Sequence, residues 1–243
     1  MEDGLSSKAQ GRAGGLVVIL ILAFGTFAVG TDAFIVARFL PALARTLAVS
    51  VATAEQSVTV FALTYAVLAP VLATLTARVP RRSLLVGALV VIGSANLGAA
   101  IASEFTMLVF LRALAAAGAA MYTPTAASLV SPSERGRVLA FVVGGLTLAT
   151  VLSVPLGVLM SGWVGWRVSL GIVAALAFLG ALAVSWVLPV LGGALFIPLR
   201  ERLGILGQSC VVSVLPLTVL GMMASYTVYA YSVPALRAAG PRL

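Results

Sequence analysis

Seven stretches of this chain are long and apolar enough to cross a bilayer core, which takes about 20 residues of helix. They cover residues 15–37, 56–77, 83–102, 106–130, 138–161, 168–190 and 209–233. Hydrocarbon offers no partner to a free N–H or C=O, so such segments must satisfy their backbone internally, as helices. The chain therefore reads as an all-α membrane protein. Only 9% of its residues are charged and 61% are apolar, whereas a soluble domain is about a quarter charged.

The charge balance is +8, but the basic residues form small clusters between apolar runs rather than a continuous stripe, which argues against a nucleic-acid partner. Lys8 and Arg12 precede the first run, Arg78, Arg81 and Arg82 follow the second, Arg135 and Arg137 the fourth, and Arg200 and Arg202 the sixth. All four clusters fall on one side, which the positive-inside rule makes cytoplasmic, with the N-terminus inside the cell. The opposite loops carry Arg38, Arg45, Glu104 and Arg167. The first run exceeds the roughly 7–15 residues of a signal-peptide core and should stay in the membrane.

The domain reading is a cytoplasmic tail over 1–14, a six-helix bundle over 15–190, a cytoplasmic linker over 191–208, and a seventh helix and tail over 209–243. In the linker, Leu199, Leu203 and Leu206 recur at helical spacing beside Arg200, Glu201 and Arg202, the pattern of an amphipathic segment on the membrane surface. Arg237 and Arg242 would lie on the disfavoured side. Either the last segment inserts marginally or the chain was meant to continue.

Cys210 is the only cysteine and histidine is absent, which excludes an internal disulfide, a zinc cluster and histidine acid–base chemistry. No cofactor motif is present. Without clustered acids, metal-ligand spacing or a P-loop, a membrane enzyme is disfavoured.

Two charges interrupt the apolar runs. Counted at 1.5 Å per residue, Asp32 lies about 24 Å beyond Leu16 and Arg112 about 9 Å beyond Thr106, comparable depths from opposite ends. Charge in hydrocarbon is costly and commonly marks function. Asp32 also reads as a solvated interface residue or a cap on a break at Gly30, and Arg112 as a side chain that snorkels outward. Thr64, Tyr65, Asn96, Tyr122, Thr123, Tyr226 and Tyr229 could supply the few polar anchors of a substrate cavity. Each also fits interfacial placement or bonding to its own helix. Gly25, Gly30, Gly118, Gly144, Gly145 and Gly157 suit close helix packing. Pro70, Pro124, Pro155 and Pro216 lie within spans and can kink them.

Local motifs resemble the major facilitator superfamily. APVLATLTARVPRRSLL is similar to its cytoplasmic loop motif at Arg78, Arg81 and Arg82, with Ala73, Ala77 and Pro80 in place of the motif's glycine, acid and second glycine. LVFLRALAAAGAAMYTP resembles its arginine motif at Arg112 and Gly118. GGLTLATVLSVPLGVLM resembles its antiporter signature at Gly145, Pro155 and Gly157, with Ser153 and Val154 where glycines are usual. FAVGTDAFIVARFLPALARTLAVS looks like the drug and sugar efflux branch.

The resemblance implies a six-helix half-bundle of 3+3 inverted repeats, plus the linker and first helix of a second half. It implies proton-coupled efflux of a small molecule from the cell membrane, with Asp32 and Arg112 facing each other across a cavity as the coupling pair. An adjacent guanidinium favours a charged carboxylate and desolvation a neutral one, so such a site can switch with water access. The competing expectation is a truncated, transport-inactive fragment, at most a membrane interaction partner, whose C-terminal half is missing or separate.

Overall fold

A computed structural model describes residues 2–129, 140, 144–149, 151–152, 165–189, 192 and 198–238. The chain divides into two units, Met1–Phe196 and Ile197–Leu243. The first contains α1 (Glu2–Arg38), α2 (Leu40–Thr46), α3 (Val51–Leu75), α4 (Arg81–Ile101), α5 (Phe105–Ser128) and α6 (Trp166–Val187). Among the described residues, five segments are long and apolar enough to cross a membrane: Leu16–Arg38, α3, α4, α5 and α6. They coincide with the first, second, third, fourth and sixth expected spans. Residues 144–149 and 151–152 of the fifth are helical, while Ser153, Pro155 and Gly157 lie outside the described residues. The second unit contains α7 (Leu199–Gly204), a 3-10 turn (Ile205–Gly207) and α8 (Ser209–Ala238), which includes the seventh expected span.

Two local features depart from the sequence reading. Helix α3 begins at Val51, five residues before the expected start, because Ser50 caps it: its hydroxyl accepts from the Thr53 N–H at 3.0 Å and lies 2.8 Å from Thr53 Oγ1. Glu55 and Gln56 lower the hydropathy just beyond this first turn, but the cap satisfies an N–H that no preceding turn can reach. Beyond α1, the short helix α2 forms with Pro41 in its first turn. Proline suits that position because its fixed φ is already helical and the N–H it lacks would be unpaired there.

Helix α4 sits centrally, packed against α5 and α6; α3 packs on α5, and α1 on α6. Leu22, Leu85, Leu89, Ile92 and Val184 fill one core region, and Phe39, Leu43, Leu108, Trp166 and Val173 another. Lipid tails are as apolar as leucine, so close approach at small residues carries much of the packing. A Cβ at Gly118 would lie 2.8 Å from the Ala88 carbonyl oxygen and 2.7 Å from Ile92 Cγ1. Gly118→Val is expected to force α4 and α5 apart and destabilise the protein by about 1–3 kcal/mol, read as a lower unfolding midpoint in detergent. Gly171→Ala, where a Cβ meets nothing within 4 Å, is expected to lower no midpoint.

Helices α4 and α6 run antiparallel and are tied at both ends by arginine. Arg82, in the first turn of α4, donates to the Ser185 carbonyl in the last turn of α6. Arg167, in the first turn of α6, donates to the Ala100 carbonyl in the last turn of α4 at 2.9 Å. These are terminal carbonyls that no helical N–H reaches, at the negative end of each helix dipole. Arg167 also stacks on Trp166, 4.5 Å from the ring centroid, and the Trp166 indole N–H donates to Thr46 Oγ1 at 3.3 Å. That bond links α2 to the same end.

Candidate functional site

Helices α1, α3 and α5 converge on one charged cluster inside the first unit. Arg112 of α5 donates from Nη1 to Asp32 Oδ1 of α1, and from Nη2 to the Asp32 backbone carbonyl at 3.2 Å. Phe61 of α3 lies against the guanidinium, its ring centroid 4.3 Å from Cζ. Exposure is 0% for Asp32 and 1% for Arg112. Helix α1 is unbroken through Gly30, so Asp32 neither caps a break nor meets solvent. Arg112 reaches inward to Asp32 instead of snorkelling. The two residues touch, where the sequence reading set them across an open cavity.

The pairing is incomplete. Guanidinium and carboxylate commonly match as a two-bond fork, yet here one bond joins the side chains. Asp32 Oδ2 and Arg112 Nε are buried without a hydrogen-bond partner among the described residues. Enclosing two ions costs several kcal/mol each, which mutual attraction recovers only with good geometry and satisfied remaining atoms. An apolar pair of similar volume would serve packing as well.

The other expected site residues are distributed more widely. Asn96 is buried, its Nδ2 donating to the Ile92 carbonyl at 3.0 Å and its Oδ1 unpartnered. Tyr122 is fully buried and donates to the Leu22 carbonyl at 3.0 Å, its ring end against Gly25, where a Cβ would overlap it. It joins α5 to α1 within the core. Thr64, Tyr65 and Thr123 are half-buried. The side chains of Tyr226 and Tyr229 lie outside the described residues. Of the loop arginines, Arg82 makes the bond to α6, Arg81 is half-buried and Arg78 is exposed. Gly145 presses on α1: a Cβ there would collide with the Ala23 carbonyl oxygen.

An apolar cleft of about 640 Å³ opens beside that contact, bounded by Leu20, Phe24, Phe27, Gly144, Gly145 and Leu148 among others. Its size suits a drug-sized ligand. The sequence reading missed Phe61, Phe24 and Phe27. Their signal was only that each is an aromatic residue within a span, and the direction it faces cannot be read when lipid and protein are both apolar.

The profile of the Major Facilitator Superfamily matches residues 22–236. The chain is 32% identical over 222 residues to the uncharacterized MFS-type transporter YbcL of Bacillus subtilis, covering 90% of this chain and 57% of that protein. It is 38% identical over 175 residues to the chloramphenicol resistance protein of Streptomyces lividans, covering 70% of this chain and 45% of the relative. The inner membrane transport protein YdhP of Escherichia coli is 30% identical over 223 residues, again 90% of this chain and 57% of the relative. The chain thus spans about half the length of the curated relatives it matches.

Among solved structures, a bacterial homolog of the human lysosomal transporter Spinster, inward-facing and unoccupied, aligns with a TM-score of 0.61 at 21% identity, over 76% of this chain and 45% of that one. The peptide transporter POT in complex with sulfate aligns at 0.60 and 17% identity, over 91% and 46%. These two likenesses show the fold. Together with the profile match and the membrane-length helices, the relatives place this multi-pass membrane protein: the chain belongs to the major facilitator superfamily.

Proposed function

We propose that the protein takes part in secondary active efflux of a small molecule in exchange for protons, with Asp32 and Arg112 as the coupling pair. The observation that carries this reading is the buried, half-satisfied ion pair. A carboxylate oxygen without a partner beside a fixed guanidinium can accept a proton without the pair separating. Deprotonation restores the full attraction to Arg112, so the two states differ in how tightly α1 is held to α5. In an alternating-access cycle, bundles rock about a central site, and that difference would bias one orientation over the other.

The chloramphenicol resistance relative supports a drug-like substrate, and the apolar cleft beside Gly145 suits an uncharged aromatic compound better than a sugar. Within the first unit, Thr64, Tyr65, Asn96 and Thr123 are proposed to supply polar anchors for the substrate, and Tyr122 to hold α5 against α1 beside them. The likeness of Gly145, Ser153, Pro155 and Gly157 to the antiporter signature supports exchange as the mode of transport. The one-sided basic clusters support an N-terminus in the cytoplasm, at the plasma or inner membrane, with 191–208 as a proposed surface linker.

The test is uptake into proteoliposomes under an imposed pH gradient, across chloramphenicol, cationic drugs and sugars. Gradient-driven accumulation of chloramphenicol, abolished by a protonophore, is the expected result. Accumulation of any substrate that ignores the protonophore would overturn proton coupling, and gradient-driven uptake of sugars alone would overturn the drug assignment.

A further inference from the structure

We infer that Phe61 is a positioning residue for the Asp32–Arg112 pair, an aromatic shutter on α3 that holds the guanidinium on the carboxylate and keeps water from it. The inference rests on the reading that this pair is the functional site, and it adds the element that controls access to the pair.

Three observations lead to it. The Phe61 ring lies 4.3 Å from Arg112 Cζ, within the range where an aromatic face attracts a cation. A ring in that position covers one face of the guanidinium without offering a hydrogen-bond acceptor. It therefore excludes water while leaving Asp32 as the only anionic partner of Arg112 among the described residues, where Arg112 Nε has no hydrogen bond. Phe61 itself is only 7% exposed, so ring and cation are sealed together.

The third observation concerns the helix that carries the ring. Only 11% of the apolar window of α3 is buried, against 50% in α1 and in α4 and 44% in α5. Among the described spans, helix α3 is thus the one whose surface is least covered, with α5 as its main neighbour. One turn before Phe61, Ser57 is buried and bonds its own helix through the Ala54 carbonyl at 2.7 Å, so it adds no side-chain tie across to α5. Movement of α3 away from α5 would lift the ring, admit water to Arg112 and release the restraint on Asp32. In this geometry the position of one lightly packed helix sets whether the buried charges are dry or wet.

The test separates a positioning role from simple core filling. Purified protein in detergent is treated at one fixed pH with dicyclohexylcarbodiimide, which modifies carboxyl groups in apolar surroundings, and Asp32 modification is followed by mass spectrometry. Phe61→Leu keeps an apolar side chain but removes the ring face, and Phe61→Trp keeps the face. We expect the modification rate to change about tenfold in Phe61→Leu and to stay within twofold of wild type in Phe61→Trp.

A thermal double-mutant cycle supplies the second measurement. Phe61→Leu should lower the unfolding midpoint by about 2–4 °C in the wild-type background, from the size of a desolvated cation–π contact, and by much less in the Arg112→Met background. Equal losses in both backgrounds, or a Leu variant that reacts like wild type, would overturn the inference. Neither measurement depends on transport. If Phe61 couples to Arg112 while uptake shows no proton dependence, the proposed function fails and the shutter stands.

Discussion

Arg112→Leu is expected to destabilise the protein by about 3–5 kcal/mol, the cost of leaving one member of a buried pair without its counter-ion. The carboxylate of Asp32, at 0% exposure, would lose its only side-chain partner among the described residues. The same substitution made together with Asp32→Leu should recover most of the loss, because replacing both ions by apolar groups of similar size is often neutral or stabilising. Unfolding midpoints in detergent, with retained helical signal as the check on folding, measure both. A double variant as unstable as the single one would mean that Asp32 and Arg112 matter through separate contacts rather than as a pair. Rescue of stability without rescue of uptake is the signature of a pair kept for function.

Asp32→Asn is expected to abolish gradient-driven uptake while the protein still accumulates in the membrane. The amide has the shape of a protonated carboxyl and keeps an oxygen for the Arg112 Nη1 bond, so the local packing survives. What it cannot do is release a proton. A transport cycle that needs the pair to alternate between two charge states would stop at one of them, while exchange of substrate across the membrane without a gradient could persist. Comparing net uptake with substrate exchange in the same proteoliposomes separates the two. Undiminished net uptake in Asp32→Asn would place the coupling carboxyl elsewhere.

Much of this fold was legible because lipid imposes a simple rule on sequence: runs of about 20 apolar residues become helices. The boundaries at Arg81 and Phe105 came within a residue or two for that reason. Val51 did not, since Glu55 and Gln56 interrupt the apolar run one turn in and the helix owes its start to the Ser50 hydroxyl, a local hydrogen bond that hydropathy does not record. Asp32 and Arg112 stood out individually as charges in apolar surroundings, and helix rise put them at compatible depths. Their direct contact required knowing that α1 and α5 adjoin, which came from the family resemblance alone.

Phe61 was illegible for a different reason. On a soluble helix the polar face tells which side is buried, but on α3 both sides are largely apolar, so the azimuth of a phenylalanine carries no mark. The arginines at helix ends were half legible. Arg82 was read as part of a basic cytoplasmic turn, and the structure adds its partner, the Ser185 carbonyl at the end of α6. Arg167 was read only as a loop charge, although its bond to Ala100 is the matching contact at the other end of the same helix pair.

The two arginine ties have a consequence for how the protein is made. Ala100 waits 67 residues for Arg167, and Arg82 waits 103 for Ser185. During synthesis α4 therefore enters the bilayer with neither tie formed, and both close only once α6 has followed it in. Until then it is contacts such as that of Gly118 with Ala88 and Ile92 that hold α4, against α5, and its pairing with α6 is completed by a segment translated long after it.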